Sequence, residues 1–270
     1  MSTDRPNRYK QIIARIFLDR YKVGATSIDF ERDDLVKAAE TLGIAGVDNL
    51  GDLIYSFRYR SEFPDEITRT APGGQEWIID GRGRSKYRFV LSKINRIEPG
   101  EGRFQIKIPD ALPQIVARYI SKDDEQALLA TVRYNRLIDL FLRVNAYHLQ
   151  GHLRTTVPGI GQIETDDLYV AVRNSGQQFI VPVQAKSGND QIGVVQVKQD
   201  LALCKHAYPD LVPRPVAVQF VKDKQGTVIV MFELVLDGDE VKVVDEKHYR
   251  LAAASDISTD DLGRMAATSD

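Results

Sequence analysis

Two short segments, residues 161–170 and 179–188, interleave polar side chains with apolar ones. Successive side chains of a β-strand point to opposite faces, so this alternation predicts two strands that each present one polar face. Four polar side chains share the predicted inner faces: Glu164, Asp166, Gln184 and Lys186. We expect the strands to pair and bring these side chains to one site, with Asp167 on the opposite face and solvated. Pro182 indicates that the second strand lies at an edge or carries a bulge.

Carboxylates that converge without neighbouring cations are costly unless a metal ion lies between them. Hard oxygen ligands suit Mg²⁺, which keeps several waters and takes one or two carboxylates from the protein. The predicted metal ligands are Asp166, Glu164, Gln184 and the main-chain oxygen of Ala185. Lys186 would stabilise a phosphate or help to deprotonate an attacking water. Mg²⁺ is therefore the predicted cofactor.

The start of the chain reads as a small helical module that ends in a hairpin. Apolar residues at helical spacing predict helices over residues 9–21, 33–42 and 49–57. Two strand-like runs then flank the glycine-rich turn at residues 80–84. Three helices followed by a two-stranded wing indicate a winged-helix-like DNA-binding domain over residues 1–93.

Basic residues gather in sequence around this hairpin. Those expected to contact DNA are Arg58, Arg60, Arg82, Arg84 and Lys86. Cations beside a glycine turn form a surface that suits phosphate groups. The alternative is a hairpin tip whose charges are simply solvated. Double-stranded DNA is the predicted partner of this module.

Beyond a connector at residues 94–120, helices and strands alternate. A long helix is predicted over residues 123–145 and a second one over residues 192–206. Strands are predicted at residues 163–172, 179–186, 215–221, 227–236 and 241–244. This order predicts an α/β class, α+β overall, with the second domain over residues 121–252. Residues 253–270 lack apolar periodicity and are expected to form a loose tail.

The polar strands and the helix before them resemble the PD-(D/E)XK nuclease superfamily, in which an acid on one strand precedes an acid-x-lysine triplet on the next. Asp166 matches the first acid, and residues 184–186 match the triplet, which begins 18 positions later. The family triplet normally begins with a carboxylate, so the second metal carboxylate would come from Glu164 or Glu125. The resemblance implies a restriction-endonuclease-like α/β/α core with a mixed sheet.

Glu125 is the acid that the resemblance takes from the first core helix. It precedes Leu128, Leu129 and Val132 by three, four and seven residues, so it lies on their buried face. The alternative is an ordinary acid in the first turn of a helix, where the helix dipole favours it.

Combined with a DNA-reading module, the resemblance implies a type II restriction endonuclease. Such an enzyme cleaves phosphodiester bonds at specific sites in double-stranded DNA and needs Mg²⁺. Cutting both strands of a symmetric site implies a homodimer. Two alternatives stay open. One is a DNA-binding regulator whose nuclease fold has lost activity, which Gln184 favours, and the other is a repair or recombination nuclease that reads DNA structure.

Composition limits the setting of the protein. The chain of 270 residues has a net charge of −2 and 43% hydrophobic residues, which is typical of a globular protein. This charge argues against general coating of nucleic acid but allows a local basic face. The charged N-terminus lacks the apolar stretch of a signal peptide, so a cytoplasmic protein without a membrane partner is expected. The single cysteine, Cys204, cannot form an internal disulfide and is expected in the core.

Overall fold

The computed structural model describes residues 8–45, 49–93, 96–119, 125–187 and 192–267. The chain divides into two compact units. The N-terminal unit comprises residues 1–96, 155–163 and 193–195, and the C-terminal unit comprises residues 97–154, 164–192 and 196–270. No helix in the described ranges combines the length and the apolar character that crossing a membrane requires.

The N-terminal unit contains a three-stranded sheet and four helices within the described residues. Its elements are α1 (Arg8–Arg20), β1 (Ser27–Glu31), α2 (Arg32–Thr41), α3 (Leu50–Tyr59), α4 (Asp65–Thr68), β2 (Glu76–Gly81) and β3 (Lys86–Ser92). The strands are antiparallel in the order β1-β3-β2. The structure adds β1 to the predicted elements. This strand of five residues buries only Ile28 and Phe30, which is too few apolar positions for a period of two to stand out.

An aromatic core holds this unit together. Helix α1 turns four apolar side chains inward, each at most 1% exposed: Ile12, Ile13, Ile16 and Phe17. The ring of Phe17 makes edge contacts with Trp77 and Phe89, at centroid distances of 5.0 and 5.2 Å. Because Trp77 lies on β2 and Phe89 on β3, these aromatic contacts fix the helix against the hairpin.

Strands dominate the rest of the described chain. They are β4 (Arg96–Ile97), β5 (Gln105–Pro109), β6 (Asn145–Val157), β7 (Gly161–Val172), β8 (Gln178–Lys186), β9 (Ile192–Gly193), β10 (Val212–Pro213), β11 (Val216–Asp223), β12 (Gly226–Asp237) and β13 (Glu240–Ala252). The helices are α5 (Gln114–Ala117), α6 (Glu125–Tyr134), α7 (Leu137–Leu142), α8 (Val194–Ala207) and α9 (Thr259–Ala267), with a 3-10 turn at Ala254–Asp256.

The main sheet has eight strands within the described residues. Their order is β5-β13-β12-β11-β8-β7-β6, and β10 pairs with β8 beside this path. β5 is parallel to β13, and β8 is parallel to β11. β12 is antiparallel to both of its neighbours, and β7 is antiparallel to β8. The predicted α/β class with a mixed sheet is therefore confirmed.

Helices pack on both faces of this sheet. On one face, Leu128 of α6 packs in a large core with Val183 of β8. On the other face, Leu168 and Ile180 pack with Cys204 of α8. Successive side chains of β8 thus point alternately into the two cores, as the geometry of a β-strand requires. Cys204 is a buried free cysteine, which confirms its predicted place in the core.

The long helix predicted over residues 123–145 is wrong. Two helices, α6 and α7, occupy this region, and residue 123 lies outside the described residues. Arg136 stands between the helices with a φ of 51°, a left-handed conformation that interrupts a helix. The Asn135 side chain donates to the main-chain oxygen of Thr131 at 3.0 Å. The apolar spacing continues into α7, so the sequence pattern does not show the break.

Pro182 lies inside the sheet, and the expected edge strand or bulge is wrong. On one side of β8, Pro182 lies opposite Leu168 of β7. On the other side, β8 pairs with β10 as far as Ile180 and with β11 from Val183 onward. Pro182 therefore lies between the part of β8 that pairs with β10 and the part that pairs with β11. At this position no backbone N–H is needed for strand pairing.

Three segments carry more structure than their sequences indicate. β6 was not predicted, and the connector supplies β5, which pairs with β13. The predicted loose tail contains α9. The ammonium of Lys107 lies 2.9 Å from the Asp261 carboxylate, which anchors that helix to β5. Contacts with residues distant in sequence stabilise these segments. The hydrophobic periodicity of the segments themselves does not predict such contacts.

Candidate functional site

The pairing of β7 with β8 ends at Asp167 and Val183. Just beyond that point, the Asp166 carboxylate oxygen Oδ2 accepts a hydrogen bond of 2.8 Å from the main-chain N–H of Ala185. Such a bond from a buried main-chain donor fixes a carboxylate and lowers the cost of burying it. Asp166 is therefore held beside the end of β8.

Lys186 ends β8 and forms an ion pair with Glu125 of α6. The distance between Lys186 Nζ and Glu125 Oε1 is 2.9 Å, and the side chains are 15% and 33% exposed. Burial raises the pKa of Asp166; the Ala185 N–H and the Lys186 charge oppose this shift, and the Glu125 charge adds to it. We call Glu125, Asp166 and Lys186 the acid–lysine cluster. The cluster can bind a ligand that carries both positive and negative groups. Because its pKa is raised, Asp166 stays protonated to a higher pH than an exposed aspartate does.

The topology places this cluster where α/β proteins bind ligands. β8 and β11 are parallel neighbours joined through α8, and Lys186 lies at the carboxyl end of β8, opposite Gln219 in the middle of β11. In open α/β sheets, ligands bind in the crevice outside the carboxyl ends of parallel strands. The cluster is therefore the first candidate for a binding site.

The side chain of Gln184 contacts α8. Its amide Nε2 donates to both carboxylate oxygens of Asp200, at 3.2 and 3.0 Å. Its oxygen Oε1 accepts from Gln196 Nε2 at 3.3 Å. The residue is 2% exposed. The metal-ligand role of Gln184 stays a prediction, and in the structure α8 supplies partners for both ends of its amide group.

Asp200 is a buried carboxyl group that the sequence analysis did not identify. It accepts a hydrogen bond of 2.6 Å from Thr165 Oγ1 in addition to those from Gln184. Burial raises the pKa of Asp200 to about 7, although the hydrogen bonds from Thr165 and Gln184 act in the opposite direction. An aspartate inside an otherwise apolar helical stretch was the available signal, since buried carboxyl groups need partners.

Glu164 lies away from the predicted ligand set. Its carboxylate is 44% exposed and pairs with Arg154 at 2.9 Å. Among the described residues, no group of three or more histidine, cysteine, aspartate or glutamate side chains is placed to hold a metal ion. Two of the four predicted oxygen ligands, Glu164 and Gln184, contact other protein groups instead. Mg²⁺ binding stays a prediction that depends on Asp166 and Glu125, with the Ala185 oxygen beside them.

Asp167 faces away from the cluster as predicted, but it is not solvated. Its carboxylate is fully buried and lies 2.9 Å from Arg133 Nη2 through both oxygens. His148 Nε2 lies 3.0 Å from Oδ1, and the Tyr169 hydroxyl donates to Oδ2 at 3.1 Å. The strand alternation gave the correct face for Asp167. Arg133 and His148 come from α6 and β6, so only the tertiary structure reveals their part in this network.

The hairpin cations separate into exposed and anchored groups. Arg82, Arg84 and Lys86 are exposed at the turn between β2 and β3. Arg58 is half-buried and its Nε donates to the Ile79 oxygen at 3.1 Å, so it supports β2 from α3. Arg60 is exposed, with its guanidinium 4.9 Å from the ring centroid of Tyr55. The structure therefore leaves three of the five predicted DNA contacts together at the hairpin tip.

Comparison with known proteins finds relatives that share one name. A carboxy-S-adenosyl-L-methionine synthase of Vibrio parahaemolyticus is 28% identical over 145 residues, which is 53% of this chain and 56% of the relative. The synthase of Vibrio cholerae is 28% identical over 53% of this chain and 55% of its own. That of Vibrio vulnificus is 27% identical over 53% and 56%. No family model and no solved structure matches the chain.

The chain spans about half the length of the curated relatives it matches. Their name overturns the predicted PD-(D/E)XK membership, the type II site-specific deoxyribonuclease and the restriction-system role, and it leaves the two alternatives without support. The acid-x-lysine pattern misled because it is short, and its first position, Gln184, faces α8 rather than Asp166. By sequence, this chain is similar over half its length to enzymes named as carboxy-S-adenosyl-L-methionine synthases.

Proposed function

We propose that the chain is an enzyme that binds S-adenosyl-L-methionine or its carboxylated derivative at the acid–lysine cluster. The name of the relatives supplies the ligand class, and the cluster supplies the chemistry. The observation that carries the proposal is the ion pair of Glu125 with Lys186 beside Asp166, at the carboxyl end of β8.

The charges of the ligand complement those of the cluster. S-adenosyl-L-methionine carries a sulfonium, an ammonium and a carboxylate, and its carboxylated derivative carries one carboxylate more. Lys186 has three donors, so a ligand carboxylate can share its ammonium with Glu125. Asp166 and Glu125 would then face the ammonium or sulfonium group, where opposite charges attract strongly because the site is largely shielded from water. Lys186 and Asp166 are thus the residues proposed to orient the ligand.

Lys186→Ala should weaken binding of S-adenosyl-L-methionine at least about tenfold, because the only ammonium of the cluster is removed. The measurement is isothermal titration calorimetry of the full chain with this compound. Lys198→Ala is a matched control: Lys198 is 16% exposed, nearly as buried as Lys186, but it pairs with Asp239 at 3.2 Å. The control should bind within about twofold of wild type. Wild type that binds no S-adenosyl-L-methionine, or equal losses in both variants, would refute the proposal.

The same titration with Mg²⁺ alone tests the predicted cofactor. Asp166→Asn removes the carboxylate that both the metal prediction and the ligand proposal use. Loss of Mg²⁺ binding in this variant would support a metal site, and binding that does not change would remove Asp166 from it.

We also propose that the N-terminal unit is a winged-helix-like module that contacts duplex DNA through Arg82, Arg84 and Lys86. Three exposed cations at a hairpin tip can bind phosphates without changing the unit's fold. Homodimerisation was inferred from cleavage of both strands and loses that argument. It stays a prediction that light scattering tests.

Replacing Arg82, Arg84 and Lys86 together by alanine should weaken DNA binding and reduce the slope of log affinity against log salt by about 3. Gel shifts at several salt concentrations measure both effects. Alanine at Arg15, Lys37 and Arg69, three exposed cations of the same unit, removes the same charge elsewhere. A slope that is unchanged in the hairpin variant, or reduced equally in both, would show that the hairpin does not contact DNA.

A further inference from the structure

One cavity of the C-terminal unit is lined by no member of the acid–lysine cluster. Its volume is about 610 Å³, within the range of small-molecule sites. Polar and apolar side chains both line it. Its charged residues are Arg143, Arg173, Arg214, Glu233, Asp245 and Lys247. Four cations against two carboxylates give this cavity a surplus of positive charge.

Internal ion pairs neutralise only part of this charge. Arg214 binds Glu233 through two parallel contacts of 2.7 and 2.9 Å and also donates to the Leu142 oxygen at 3.1 Å. Lys247 lies 3.9 Å from Asp245. Within the described part of the chain, no carboxylate lies at ion-pair distance from Arg143 or Arg173. Two guanidinium groups therefore face the cavity with their charge uncompensated.

Ring contacts orient the guanidinium groups of Arg173 and Arg214, and the backbone of Arg143 is fixed at the end of α7. The guanidinium of Arg173 lies 5.3 Å from the ring centroid of Phe179, and that of Arg214 lies 5.2 Å from the same centroid. Arg143 follows α7 in a left-handed conformation, with a φ of 53°, and its main-chain N–H donates to the Asp139 oxygen. An arginine whose guanidinium already lies against a ring, such as Arg173, loses less conformational entropy when it binds an anion.

The cavity also offers an apolar wall and a hydroxyl donor. Leu140 is 52% exposed, and Phe141 and Ile106 line the cavity with it. Burial raises the pKa of the Tyr249 hydroxyl, so this group stays protonated and can donate a hydrogen bond. A ligand that satisfies these features carries oxyanion charge at one end and an apolar body at the other.

We propose that this cavity binds a small dianion with an apolar body, and that Arg143 and Arg173 pair with its oxyanion groups. The planar fork of arginine matches the oxygens of carboxylate and phosphate groups through two parallel hydrogen bonds. A phosphate monoester and a dicarboxylate share this chemistry. The site shares no residue with the acid–lysine cluster, so the proposal does not depend on the proposed function.

The test is calorimetry of the full chain with phenyl phosphate and, separately, with phthalate, at about 0.15 M salt to screen nonspecific attraction. The double variant Arg143→Ala and Arg173→Ala should bind the preferred probe at least about tenfold more weakly. Both side chains are exposed, so the fold should persist. A double variant with lysine at both positions keeps the charge but loses the fork, and it should bind with intermediate affinity.

Arg103→Ala combined with Arg118→Ala is the control, because it removes two exposed arginines of the same unit that do not line the cavity. This control should bind both probes as wild type does. Preference for phenyl phosphate identifies a phosphate monoester as the ligand class, and preference for phthalate identifies a dicarboxylate. Absence of binding to both probes by wild type overturns the proposal, as does undiminished binding in the double alanine variant. Titration with S-adenosyl-L-methionine should be unaffected by the double alanine variant, which separates this result from the proposed function.

Discussion

Asp167→Ala should lower the free energy of unfolding by about 3 kcal/mol, because it removes the one carboxylate that a buried network shares. Arg133, His148 and the Tyr169 hydroxyl all contact this fully buried group. Without it, the tyrosine hydroxyl loses its acceptor and Arg133 keeps a charge that is only 41% exposed to solvent. Urea denaturation at neutral pH measures the loss.

The control for this variant is Asp239→Ala. Asp239 also pairs with a cation, Lys198, but its side chain is 85% exposed. An exposed pair of this kind contributes less than about 1 kcal/mol, so the control should differ little from wild type. If the two substitutions cost the same, the network around Asp167 does not stabilise the fold.

The free energy of unfolding should fall as the pH rises towards 7, and Asp200→Asn should reduce this dependence. Burial raises the pKa of Asp200 from 3.8 to about 7 in the folded chain. Between these values the folded state holds a proton that the unfolded state has released. Stability is therefore fully present below the unfolded pKa and is lost as the pH rises through the folded pKa, by at most about 1.4 kcal/mol per pH unit.

Urea denaturation between about pH 5 and pH 8 measures this slope in wild type and in the variant. The carboxylates with lowered pKa values, such as Asp223 and Asp261 near 2, lose their contribution only at more acidic pH. Histidine titration is common to both proteins and cancels in the difference. Parallel pH profiles for the two proteins would contradict the shifted pKa of Asp200.

The members of the candidate site differ in how far the sequence could place them. Asp166 and Lys186 were expected together from strand alternation, and the structure brings Glu125 to Lys186 as well. Gln184 and Glu164 were expected there for the same reason, yet one contacts α8 and the other an arginine on β6. Alternation gives a face only while the ladder continues, and the pairing of β7 with β8 stops at Asp167. Beyond that point the direction of each side chain depends on the group that it contacts.

The sequence by itself determined the local elements whose periodicity is strong. Helix α1, strands β7 and β8, helix α8 and strands β11 and β12 lie where apolar spacing predicts them. Their burial is decided by neighbours along the chain, so a window of the sequence contains the necessary information. The alternation of β8 also predicted that its two faces differ.

Only the tertiary structure decided how these elements share their polar groups. The place of Pro182 between two partner strands, the pairing of Asp167 with Arg133 and the pairing of Asp200 with Thr165 all depend on residues distant in sequence. A buried carboxyl group must find a donor, but the sequence does not say which element provides it. A short motif did not reveal that the side-chain amide of Gln184 donates to Asp200, because that contact depends on how α8 packs against β8.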